Sequence, residues 1–126
     1  MEQAIEKLTA LVFLVTGLSH LLQPKTWARF FIDIRGRGDI GGLWNAYIHA
    51  PLGLLIVAFH NLWTWPEIVV TLIGWSLALK GALYFCWPQL ASRAMAKISE
   101  ENAGMYRVAG VFTLMVAAAA GWIALT

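Results

Sequence analysis

Lys80 stands inside the apolar run WPEIVVTLIGWSLALKGALYFCW, between Trp65-Pro66 and Trp87-Pro88. A hydrophobic stretch of about 20 residues crosses a hydrocarbon core as an α-helix. An ammonium placed there costs about 2.5–3.5 kcal/mol on insertion scales, so it must face protein or water and find a partner. Ser76, Lys80 and Tyr84 are four apart and share a helix face. Asn45 and His49 share one in a second apolar run, and Thr16, Ser19 and His20 share one in the first. Turned inward, these faces make a polar pocket in the cytoplasmic half of a bundle, lined by Lys80, His49, His20, Tyr84, Asn45 and Ser76. No acidic residue lies at the depth of Lys80 in any span. Its partners would be hydroxyls, carbonyls, water or an anionic ligand, and the pocket would suit an anion or an amphiphile. The competing reading is snorkelling, in which the four-carbon stem lifts the charge to the surface. Lys80 lies roughly two turns, about 10 Å, from Trp87, which is far for that stem.

The simplest reading of His20 and His49 is hydrogen bonding inside the bundle. A proton relay, a metal site or axial ligation of a haem by His20 and His49 are the alternatives. Two histidines with no carboxylate or cysteine beside them are a thin ligand set for zinc, and no further motif supports a haem. The expectation is therefore no cofactor and no metal. His60, next to Asn61 and Trp63, reads as an interfacial cap at a helix end, and Cys86 as a small apolar filler. Arg107 reads as a snorkelling charge. There is no P-loop, Ser-His-Asp arrangement, HExxH or carboxylate pair, so an enzyme is not expected.

The elements that must position these residues follow from composition. The chain has 126 residues, 60% of them hydrophobic and 13% charged, against about 25% charged in a typical soluble domain. This points to an integral membrane protein forming one domain over residues 1–126. The net charge of +2, without a basic block, gives no sign of nucleic-acid binding, and the lone cysteine excludes an intramolecular disulfide. Four spans are expected: Ile5–Leu22, Ile40–Trp63 with a kink at Pro51, Trp65–Trp87 and Val108–Leu125. Met-Glu-Gln-Ala-Ile-Glu-Lys is not a positively charged leader, so the first run is expected to stay as a span. Between spans one and two, Trp27, Phe30, Phe31 and Ile34 form the apolar stripe of a short interfacial helix, with Lys25, Arg29 and Asp33 off it. Ala91, Ala94, Met95 and Ile98 make a second, weaker one. The two long connections carry seven Lys or Arg and the turn between spans two and three carries none. The long connections are then cytoplasmic and both termini periplasmic.

Gly17, Pro24 and Arg29 recur 64 residues later as Gly81, Pro88 and Arg93. Each half reads span, proline, interfacial stripe, span, which predicts a four-span all-α bundle of two parallel helical-hairpin repeats, about 1–63 and 64–126. On this alignment His20 matches Tyr84; laying Gly53 on Gly110 matches His49 with Tyr106. Each half resembles the YjeT-like small bacterial two-helix membrane proteins of unknown function. The resemblance rests on Gly81, Pro88, Arg93, Arg107, Gly110 and Gly121, and on Gly17, Pro24, Trp27, Arg29 and Gly53; the first half has no counterpart of Arg107. It implies a bacterial inner-membrane location and supplies no activity.

Three functional readings remain. One is a non-enzymatic accessory or scaffold subunit, self-associated or part of a larger membrane complex, whose glycine- and alanine-rich faces pack against partners. The second is a small transporter or channel using the polar pocket. The third is a haem- or other cofactor-binding protein.

Overall fold

The computed structural model describes residues 1–126. It contains six helices and no strand: α1 (Glu2–Leu22), α2 (Pro24–Arg35), α3 (Asp39–Phe59), α4 (Ile68–Cys86), α5 (Pro88–Met95) and α6 (Gly104–Leu125). α1, α3, α4 and α6 are long and apolar enough to cross a membrane. The second span stops at Phe59, short of the expected Trp63, because His60–Trp63 turn back towards α4. The last begins at Gly104, since Tyr106 packs with Ala28 and Ala103 and draws the helix start forward. Pro51 sits within α3 without ending it.

The two breaks between long and short helices are built alike. At Gln23 (φ −130°) and Trp87 (φ −134°) the backbone leaves the helix, and each N–H still bonds the carbonyl four residues back, Ser19 or Leu83. The following Pro24 or Pro88 opens the next helix. A proline disfavours helical geometry in the residue before it, yet suits a first helical position where no N–H is needed.

α2 and α5 lie at the same end of the molecule. On α2, Ala28 and Ile34 are buried with Trp27 and Phe31 partly so, while Lys25, Arg29 and Asp33 are exposed. The buried stripe is rotated from the expected one: Phe30 is exposed and Ala28 takes the inner position, because α6 approaches closely there. On α5, Ala91 and Met95 are buried. Ala94 is exposed, and Ile98 falls in the turn after the helix. The guanidinium of Arg35 donates to the carbonyls of Met95, Ala96 and Ile98, tying α2 to the open end of α5.

Arg29 also reaches the second half, pairing with Glu100, and holds that carboxyl below the usual carboxylate range by hydrogen bond and charge. A carboxylate whose folded pKa is depressed stabilises the fold above its unfolded pKa, and that contribution is lost as pH falls through the folded value. The stability difference between wild type and Glu100→Gln should therefore be largest near neutral pH, begin to fall near the ordinary glutamate pKa of about 4.3 and vanish only below the depressed folded value. Because the pair is exposed, the difference is small and should shrink in high salt; thermal unfolding against pH checks both trends.

The long helices pack tightly as two pairs, α1 with α6 and α3 with α4, each drawing one helix from each half of the chain. Small residues allow this. A Cβ on Gly17 would lie 2.8 Å from Leu114 and 3.1 Å from the Gly110 carbonyl, and one on Gly81 would lie 2.5–2.8 Å from the backbone and Cβ of Ala50. The pairs meet at the end that carries the termini through Ile5, Ile56, Val70, Ala120 and Ile123. α1 and α3 touch lightly, and α4 and α6 hardly at all.

Candidate functional site

The gap between α4 and α6 is a cavity of about 660 Å³, and all six residues singled out from the sequence line it. α4 supplies Ser76, Lys80 and Tyr84 along one wall, the face their spacing of four predicts. Asn45 and His49 come from α3 and His20 from α1 behind them. Tyr106, Phe112 and Thr113 form the α6 wall, and Phe31, Met95 and Ile98 close the end beneath α2 and α5. The wall from Leu72 to Tyr84 runs twelve residues, about 18 Å at helical rise. Thirteen of the nineteen lining residues are hydrophobic, so the few polar groups decide what the cavity accepts.

Lys80, His49 and Tyr84 form one cluster. The Lys80 Nζ lies 5.8 Å from the centre of the Tyr84 ring, within cation–π range. Tyr84 meets the His49 ring edge-on at 6.4 Å. Lys80 takes part in none of the chain's ion pairs, which are Met1–Glu2, Arg29–Glu100, Arg37–Asp33 and His60–Glu6.

His20 sits on the far side, stacked on Trp27 at 4.3 Å and tilted towards Tyr106 at 5.6 Å. The Trp27 indole N–H donates to Ser19 Oγ and fixes that stack. Both histidines place Nδ1 on the carbonyl one turn back: His20 on Thr16 at 2.7 Å and His49 on Asn45 at 2.9 Å. A carbonyl only accepts, so Nδ1 carries the proton and Nε2 of the neutral ring keeps a free lone pair. The hydroxyls of Ser76 and Thr113 are likewise spent on the Leu72 and Ala109 carbonyls. Asn45 is 4% exposed, and its Oδ1 is the one buried side-chain polar atom in the chain with no hydrogen-bond partner. No three His, Cys, Asp or Glu side chains stand together in a metal-binding group.

A second polar cluster lies at the opposite end, and sequence reasoning missed it. His60 is not an interfacial cap in contact with headgroups. It ends α3 but is wholly buried, with Nε2 2.8 Å from Glu6 of α1 and Nδ1 3.2 Å from the Thr71 hydroxyl of α4. Thr71 Oγ1 donates to the Leu62 carbonyl at 2.7 Å and receives the Leu62 N–H at 3.1 Å. With that hydroxyl proton committed, His60 donates from Nδ1, and its Nε2 shares one proton with Glu6. Cys86, expected as a filler, is exposed instead, because the face of α4 it occupies turns away from α3.

Residues 69–124, from the start of α4 to the end of α6, match a family model described as an uncharacterized protein conserved in bacteria (DUF2065). No curated protein and no solved structure matches the chain. In its second half, which holds Lys80, Tyr84 and the α6 wall of the cavity, the chain is thus similar to a bacterial family whose role is uncharacterized.

Proposed function

We propose that this chain is a non-enzymatic protein of the bacterial inner membrane that holds a membrane-borne ligand in the cavity between α4 and α6. One observation carries the reading. Lys80, whose ammonium has neither an ion pair nor a hydrogen bond within the chain, and Asn45, whose buried amide oxygen has no hydrogen-bond partner, line the same apolar cavity. An unpaired buried amide oxygen costs about 1–3 kcal/mol and an ammonium facing hydrocarbon about 2.5–3.5 kcal/mol, which a bound molecule would recover. The bilayer is the surrounding phase. The α2 and α5 end, with its basic residues, faces the cytoplasm, and both termini face the periplasm.

The scaffold reading relied on glycine faces being free for partners. Gly17, Gly53, Gly74, Gly81 and Gly110 are instead consumed in packing within the chain, which favours the cavity over a docking face.

A tandem duplication of a two-helix unit accounts for the architecture. The twin breaks at Gln23 and Trp87, and the pairings of α1 with α6 and α4 with α3, are what a two-fold relation between halves would give. Gly17 meets Gly110 and its counterpart Gly81 meets Ala50, so Ala50 rather than Gly53 is the better partner for Gly110 in the alignment. Tyr106 is then the counterpart of Ala46, and Lys80 of Thr16.

The test is native mass spectrometry of protein released in mild detergent, wild type beside Lys80→Met. A mass retained on each wild-type chain and lost from a Lys80→Met protein that stays helical and monodisperse is the expected result. Bare wild-type chains, or equal retention by the variant, would overturn it; a clean multimer of bare chains would return the scaffold reading to first place.

A further inference from the structure

Resting on that reading, the polar atoms of the cavity also state what kind of ligand fits. Its free donors are the ammonium of Lys80, the phenols of Tyr84 and Tyr106 and the amide N–H groups of Asn45. It also offers free acceptors. Asn45 Oδ1 is buried and unmatched. His49 and His20 present Nε2 lone pairs because their Nδ1 protons are engaged. Ser76 and Thr113 present lone pairs because their hydroxyl protons are engaged as well. A ligand bearing only anionic oxygens would satisfy Lys80 and leave these acceptors empty. One bearing only hydroxyls could accept from the ammonium but would leave its charge uncompensated in an apolar wall.

We propose that the ligand is an anionic phosphodiester lipid whose headgroup carries free hydroxyls, of the phosphoglycerol type. Its phosphate lies against Lys80 and its hydroxyls donate to Asn45 Oδ1 and His49 Nε2. Its chains lie along the apolar walls towards Leu72 and Val116. It enters sideways, since α4 and α6 hardly touch and the gap between them is open to the bilayer. Lys80 leans towards Tyr84 and hence towards the end beneath α2 and α5. That end carries Lys25, Arg29, Arg35, Arg37, Arg93 and Lys97 against Asp33, Asp39, Glu100 and Glu101, a net positive charge that would concentrate anionic lipid at the entrance.

The experiment compares phosphatidylglycerol with phosphatidylpropanol, two lipids of equal charge and headgroup length that differ only in the hydroxyls. Wild-type protein is stripped in detergent and offered phosphatidylglycerol and phosphatidylpropanol of the same acyl chains in competition, with native mass spectrometry as the readout. Oleate and inorganic phosphate are offered separately. About a tenfold preference for phosphatidylglycerol is expected, the worth of one or two buried hydrogen bonds. Asn45→Leu should bring that preference close to unity while anionic lipid still binds, and Lys80→Met should lose both lipids. Equal binding of the two lipids by wild type would overturn the hydroxyl assignment and leave a ligand cavity standing, as would tighter retention of oleate or free phosphate. An Asn45→Leu protein that binds both lipids and keeps the full preference would overturn it too. Binding of none of the four would overturn this inference together with the reading beneath it.

Discussion

Glu6→Ala protein should unfold with about 3 kcal/mol less free energy than wild type. His60 has no accessible surface, and Glu6 supplies the only partner of its Nε2. Truncating the carboxyl leaves a ring nitrogen buried without water or acceptor, while Thr71 still holds the other side of the ring in place. The ring cannot swing out to solvent without breaking its hydrogen bond to Thr71. Glu6→Gln keeps the shape and one hydrogen bond, so its cost should be about 1 kcal/mol. The double variant Glu6→Ala/His60→Ala should cost less than the sum of the singles, since each single change strands the other partner. Equilibrium unfolding followed by circular dichroism measures wild type, Glu6→Ala, Glu6→Gln, His60→Ala and the double variant. Additive losses, or a silent Glu6→Ala, would show that the two side chains do not share a proton.

The second large effect is expected from Gly81→Val, at about 2–3 kcal/mol. The added side chain meets the Cα, Cβ and N of Ala50, which are backbone or rigidly tied to it, so no flexible side chain can yield. α3 and α4 must separate, and with them the cavity walls that bear Asn45 and His49 on one side and Lys80 and Tyr84 on the other. Lower stability and loss of ligand retention should therefore appear together. Gly104→Ala is the matching control: nothing lies within 4 Å of a Cβ there, and the change should leave both quantities unaltered.

Much of this arrangement is legible from residue order alone. The four spans announce themselves through apolar runs, and the breaks at Gln23 and Trp87 through the prolines that follow. The shared face of Ser76, Lys80 and Tyr84 follows from a spacing of four. Convergence of those residues with His20 and His49 required only that polar faces turn inward in a bundle. The Glu6–His60 contact was beyond reach for a different reason. The two residues are 54 positions apart, and their meeting depends on α1 lying against the end of α3, which no local spacing encodes. Near the chain start, Glu6 reads like any solvated carboxylate. The rotation of the α2 stripe, with Phe30 exposed and Ala28 buried, was hidden similarly: which small residue is covered depends on how closely α6 approaches.

The exchange of helices between halves has a consequence for how the chain is made. α1 finds its tight partner only in α6, and even a hydrogen bond as simple as Gln3 to the Ala124 carbonyl joins positions 121 apart. At a synthesis rate of about 5–20 residues per second, the first helix must wait about 5–20 s before the last one emerges. During that interval Gly17 has no mate and Glu6 can meet at most the α3–α4 half of its surroundings. The nascent first helix is thus the segment most open to capture by an insertase or by another copy of the same chain. Two half-chains made separately, residues 1–63 and 64–126, should have to trade helices to become native.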